Sequence, residues 1–90
     1  MIDTTAVINN KKGIHVRPSG LIYKEIISYS GDITVTKDGV ETKIQDIISI
    51  LTLGLQHSEK IKITINGPDE ELMINKLKEL FEKNYEFDEI

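Results

Sequence analysis

Ninety residues make a single small domain, and a chain this short buries only a little over half of its unfolded surface, so the core must be economical. A hydrophobic share of 39% and a charged share of 29% exclude an intrinsically disordered chain, and a net charge of −4 argues against nucleic acid as a partner, since a phosphate backbone demands a basic face. The absence of cysteine excludes a disulfide framework and thiolate zinc chemistry. No apolar run approaches the roughly 20 residues of a membrane span. Met1–Thr4 lacks the basic and apolar regions of a signal peptide, so the expected location is the cytoplasm, with no membrane insertion.

Ile2 to Ile8 alternates loosely between apolar residues and Thr or Asp and reads as a strand. Asn9-Asn10-Lys11-Lys12-Gly13 is a polar, turn-prone loop. From Val16 to Tyr29 the period becomes helical, with Leu21, Ile22, Ile26 and Tyr29 on the apolar positions. Pro18 fits only near the start of that helix, where its missing N–H is no loss. Gly31 is expected to cap the helix in the left-handed conformation. Asp32 to Lys37 alternates again, and Asp38-Gly39 predicts a type I′ hairpin into the short strand Val40 to Lys43. Asp46 as N-cap and Gly54 beyond the carboxyl end bracket a helix of about two turns, Ile47 to Leu53. Residues 55–59 are a connection, in which His57 is expected to be exposed. Lys60 to Asn66 is the cleanest strand, with Ile61, Ile63 and Ile65 on one face. After Gly67-Pro68, the acids Asp69, Glu70 and Glu71 open a last helix that turns Met73, Ile74, Leu77, Leu80 and Phe81 inward as far as about Lys83. Residues 84–90 are expected to be a loosely held tail of the single domain 1–90.

The order β-α-β-β-α-β-α, with half-buried strands, predicts an antiparallel sheet with helices on one face, an α+β architecture. Its most informative stretch is Gly13-Ile14-His15-Val16-Arg17-Pro18-Ser19, where a glycine loop meets the head of a helix. The first amides of a helix lack intrahelical acceptors, and the macrodipole places partial positive charge there. An imidazole at that junction can take a phosphoryl group and find its anionic oxygens already provided for. His15 would attack phosphorus in its neutral form. The backbone amides of Val16 and Arg17 can receive the phosphate, whereas Pro18 has none to offer. The Arg17 guanidinium can grip phosphate oxygens through two donors, a fork that lysine lacks. The plainer readings are a histidine that only caps a helix and an arginine that is only a solvated charge. No spacing of histidines and carboxylates suggests a metal site, and no cofactor is implied.

The short helix carries an independent signal. At about 100° per residue, Ile50 and Leu53 point one way while Ile47, Ile48 and Leu51 cover an arc of about 100° elsewhere. So short a helix cannot turn both sides to one core. Ile47, Ile48 and Leu51 are therefore expected to form a partly exposed apolar patch suited to docking, with Lys24 and Gln56 at its rim; the plainer reading is that a loop covers it.

At Gly13-Ile14-His15-Val16-Arg17-Pro18 the chain resembles the histidine-containing phosphocarrier (HPr) family of the bacterial sugar phosphotransferase system. The resemblance covers essentially the whole chain, including the Leu53-Gly54 close of the short helix and Gly67-Pro68-Asp69-Glu70 before the last. It implies an open-faced β-sandwich, four antiparallel strands covered on one side by three helices. It implies a monomer that is not an enzyme but a stoichiometric carrier. His15 would accept a phosphoryl group on its pros nitrogen, Nδ1, from phosphorylated Enzyme I, itself charged by phosphoenolpyruvate. It would pass the group to IIA domains of sugar permeases, with Arg17 assisting. The positions of Ile47, Ile48 and Leu51 would contact both partners.

Asp46 is the main departure, since many relatives carry a kinase-modified serine at this regulatory position and aspartate cannot be modified that way. It reads as an N-cap or, more sharply, as a fixed charge that partly mimics phosphoserine. Lys12 and Gly20 also depart from the small polar residues common in the family. Other functions compatible with the element order are a regulatory, non-transport relay, a binding module whose histidine is never modified, and a small acylphosphatase-like hydrolase. The last would need a glycine-rich anion loop and a water-positioning Asn, which the sequence does not offer.

Overall fold

Strand β4 (Lys60–Asn66), the most regular alternation in the sequence, is the strand the sheet is built on. The computed structural model describes residues 1–85. In it β4 lies between β1 (Ile2–Val7) and β2 (Asp32–Lys37), antiparallel to both, and β3 (Val40–Lys43) extends the outer edge of β2. The strand order is β1-β4-β2-β3. Ile61 pairs with Ala6, Ile63 with Val35, and Ile65 with Ile33. Side chains alternate across a pleated sheet, so this register brings all six residues to one face, and all six are buried.

Three helices cover that face: α1 (Val16–Ile26), α2 (Ile47–Leu51) and α3 (Glu70–Glu82). They contribute Ile22 and Ile26, Ile50, and Ile74, Leu77 and Phe81 to one apolar cluster. Truncating a side chain of this kind to alanine costs about 2–5 kcal/mol. The result is the expected α+β open-faced sandwich in the order βαββαβα. The hairpin follows its sequence signal, with Asp38 at φ 52° and Gly39 at φ 80°. Gly54 also takes the left-handed conformation expected beyond α2, at φ 59°. No helix among the described residues is long and apolar enough to cross a membrane.

Three expectations are corrected. Helix α1 stops at Ile26 rather than Tyr29, and Leu21 lies on its exposed side. Gly31 is not a left-handed cap, because the residue after the helix, Ile27, is itself right-handed. Glycine is needed at 31 for another reason: a Cβ would lie 2.5 Å from the Asn66 carbonyl oxygen and 2.8 Å from the Cα of Gly67. Two chain segments cross there too closely for a side chain. Finally, the loosely held tail does not begin at 84. Tyr85 is buried, its N–H donating to Asn10 Oδ1 at 2.7 Å and its hydroxyl to the Leu80 carbonyl at 2.7 Å. The remainder of that expectation, residues 86–90, lies outside the described residues.

Gly20 sits inside α1 with no steric need for glycine, since a Cβ there meets nothing within 4 Å. Gly20→Ala is therefore expected to stabilise the fold by about 0.5–1 kcal/mol, raising the melting temperature by roughly 3–6 °C. Thermal unfolding of the two proteins checks this, and a lower melting point in the alanine variant would contradict it.

Candidate functional site

The loop before α1 is held from both sides. Asn10, expected only as a polar loop residue, is fully buried. Its Nδ2 donates to the Gly13 carbonyl at 2.9 Å while its Oδ1 receives the Tyr85 N–H. The Gly13 N–H closes the same turn on the Asn10 carbonyl at 2.9 Å. A buried amide thus has both ends engaged, which is the condition for burying it without a large penalty. On the other side, Ile14 donates its N–H to the Leu55 carbonyl at 3.0 Å and sinks its side chain into the core. Gly13, at φ 70°, lies so close to Leu55 that a Cβ would overlap the Leu55 carbonyl oxygen.

His15 follows as the N-cap of α1, in extended conformation at φ −92° and ψ −164°. Its carbonyl receives both the N–H of Ser19 at 3.0 Å and the Ser19 hydroxyl at 2.7 Å, and Ser19 and Pro18 are buried beneath it. The backbone of His15 is therefore set by α1, while the ring is half-buried with its Nε2 shielded from solvent. Val16 and Arg17 form the first helical positions and are both exposed. Helix geometry directs their N–H groups back out of the amino end, toward His15. His15 and Arg17 thus lie within three residues of one another at the amino end of α1. Among the described residues no group of three His, Cys, Asp or Glu side chains is placed to hold a metal ion. His57 is exposed in the 55–59 connection and takes no part.

Helix α2 begins at a reciprocal cap. The Asp46 carboxylate accepts the Ser49 N–H at 2.7 Å, and the Ser49 hydroxyl oxygen accepts the Asp46 N–H at 3.1 Å. Asp46 is thus placed as an N-cap. Ile50 is buried and Leu53 packs against the core, whereas Ile48 is 66% exposed and Ile47 and Leu51 are half-buried. Lys24 is exposed in the last turn of α1, roughly 13 Å of helix beyond His15. It lines a shallow cavity of about 350 Å³ between the end of α1 and the start of α3, together with Tyr29, Leu72 and Lys76.

Among the exposed apolar residues outside the patch expected from the sequence, Val16, 68% exposed, and Ile27, 60% exposed, lie on one side of α1. With Gly20 they fall within about 40° of one another on the α1 wheel, outside the arc of about 100° that holds the buried Pro18, Ile22, Ile26 and Ser19. Placing those four residues on a wheel reveals the stripe. Because α1 packs against α2, the stripe and the Ile47-Ile48-Leu51 group belong to neighbouring elements.

Comparison with known proteins agrees with this geometry. The model of the family described as "PTS HPr component phosphorylation site" matches residues 2–83. A Phosphocarrier protein HPr of Mycoplasma genitalium is 36% identical over 80 residues, covering 88% of this chain and 91% of its own. The Phosphocarrier protein HPr of Borreliella burgdorferi is 34% identical, covering 91% and 95%. The crystal structure of an HPr from Thermoanaerobacter tengcongensis superposes with a TM-score of 0.82 at 33% identity, covering 90% of this chain and 91% of that one. With the sheet order, the histidine at the head of α1 and the sequence agreement all in accord, the chain belongs to the HPr family of phosphocarriers of the phosphotransferase system.

Proposed function

We propose that this chain is a cytoplasmic, monomeric phosphocarrier in which His15 accepts a phosphoryl group from phosphorylated Enzyme I and delivers it to IIA domains of sugar permeases. The observation that carries this reading is His15 itself, extended at the amino end of α1 with Arg17 in the following turn. Shielding of Nε2 supports Nδ1 as the nitrogen that reacts. The Nδ1 lone pair attacks phosphorus, a P–N bond forms, and the bond from phosphorus to the donor breaks. The three phosphoryl oxygens then lie where the first amides of α1 and the Arg17 guanidinium stabilise negative charge. The second transfer reverses these steps toward the acceptor.

The chain supplies a nucleophile and an anion cradle, and each partner supplies the remaining half of the active site in turn. The partly exposed apolar group Ile47, Ile48 and Leu51, with the Val16–Ile27 stripe on the neighbouring helix, is the surface on which both partners dock, and Lys24 would be reached only by a partner that also extends toward α3. Asp46 serves as the cap of α2 within that surface, at the position that is a regulatory serine in many relatives. The test is incubation with Enzyme I and labelled phosphoenolpyruvate. The expected result is acid-labile, base-stable label on the chain, absent from His15→Ala and transferable to a IIA domain. An unlabelled wild-type chain would overturn the reading, and phosphate release without Enzyme I would favour a hydrolase.

A further inference from the structure

The docking helix and the histidine loop rest on a common support, a lysine from the far strand. Lys37, the last residue of β2, reaches the carboxyl end of α2, where its Nζ donates to the carbonyls of Leu53 at 3.2 Å and Gly54 at 3.1 Å. The same Nζ pairs with Glu59 Oε1 at 3.1 Å, and that oxygen also accepts the Gln56 N–H at 2.5 Å. Lys37 and Glu59 are only 20% and 30% exposed, so the ammonium is partly withdrawn from solvent among three acceptors. Leu53 and Gly54 follow the end of α2, so their carbonyls belong to the turn after the helix, and the ammonium supplies a donor to each. The Gln56 N–H, then the Lys37 ammonium, hold the Glu59 carboxyl below the usual carboxylate range against partial desolvation.

The segment so clamped contains Leu55, whose carbonyl receives the Ile14 N–H. Ile14 is bonded directly to His15. A short path therefore runs from the Lys37 ammonium through Gly54 and Leu55 to Ile14 and the imidazole. The path also touches α2, which carries the apolar group described above.

We propose that Lys37 and Glu59 are positioning residues for His15. They hold residues 53–56 where the Leu55 carbonyl meets Ile14, and so set the imidazole against the first turn of α1. A partly exposed ion pair contributes little to global stability, so the pair can be removed from a folded protein. Its consequence is local geometry. The kinetic part of this proposal rests on the phosphocarrier reading, and the structural part does not.

The experiment compares Lys37→Met with Lys37→Arg and with Glu59→Gln, all unphosphorylated, by amide hydrogen exchange and by the ring resonances of His15. In Lys37→Met the Ile14 amide is expected to exchange roughly tenfold faster, with the His15 ring resonances displaced, while the amide of Ile63 in the core strand is unchanged. Lys37→Arg, which keeps charge and donors, is expected to restore most of the protection, and Glu59→Gln to show a smaller change of the same sign. With Enzyme I, Lys37→Met is expected to lower kcat roughly fivefold with little change in KM. Unaltered Ile14 exchange and His15 resonances in Lys37→Met would overturn the proposal, even in a protein that accepts label normally. Faster Ile14 exchange with displaced His15 resonances in a protein that Enzyme I never labels would uphold the positioning role and remove only the phosphocarrier reading.

Discussion

Gly13→Ala is expected to lower the melting temperature by about 10–20 °C and to slow phosphorylation of His15 in the molecules that remain folded. Gly13 lies at φ 70°, where a residue with a Cβ loses about 1–2 kcal/mol. The new methyl group would also overlap the Leu55 carbonyl oxygen, and forcing an extra carbon into a closed contact costs about 1–3 kcal/mol more. The loop has little room to give way, because Asn10 holds the Gly13 carbonyl and Leu55 holds the Ile14 N–H. Relief comes only by moving that second hydrogen bond, one residue from His15. Thermal unfolding measures the first effect and the rate of label uptake from Enzyme I the second. A variant melting within about 3 °C of the parent would show that the loop yields easily.

Ile48→Asp should act in the opposite way, leaving the fold intact and weakening the encounter with Enzyme I. Ile48 is 66% exposed, so its loss opens no cavity. It stands two residues after the Asp46 cap, in the first turn of α2, where an added carboxylate is favoured by the helix dipole. The melting temperature is therefore expected to change by no more than about 2 °C. In the complex, an apolar anchor would be replaced by a charge that must be desolvated. A loss of about 2 kcal/mol corresponds to a roughly 30-fold increase in KM, with kcat at saturation largely retained. Steady-state phosphorylation at varied chain concentration separates the two constants, and an unchanged KM would remove Ile48 from the docking surface.

The two variants probe different links between sequence and function. Gly13 matters through the geometry that it permits, and Ile48 through the surface that it leaves uncovered. The second link is legible in the sequence, since a helix of five residues capped at Asp46 cannot turn Ile50 and Ile48 to the same core. The Val16–Ile27 stripe is less legible. The helical period places Leu21 inside with Ile22, whereas Leu21 is exposed, because periodicity alone does not say which of two adjacent apolar residues faces inward. That choice is made by what packs against the helix.

The sequence by itself determined the order of elements, the Asp38-Gly39 hairpin, the Asp46 cap, the left-handed Gly54 and the placement of His15 at the head of α1. All of these depend on periodicity or capping within a few residues, so their physical causes are local and leave a local signature. Only the tertiary structure decided the strand order β1-β4-β2-β3, the burial of Asn10 beneath Tyr85, the close crossing that requires glycine at 31, and the grip of Lys37 on the carboxyl end of α2. Each is a contact between segments far apart in sequence, where a backbone N–H or carbonyl meets whatever the fold brings to it. Such partners follow no period and are chosen by the requirement that buried polar groups be satisfied once the apolar faces have come together.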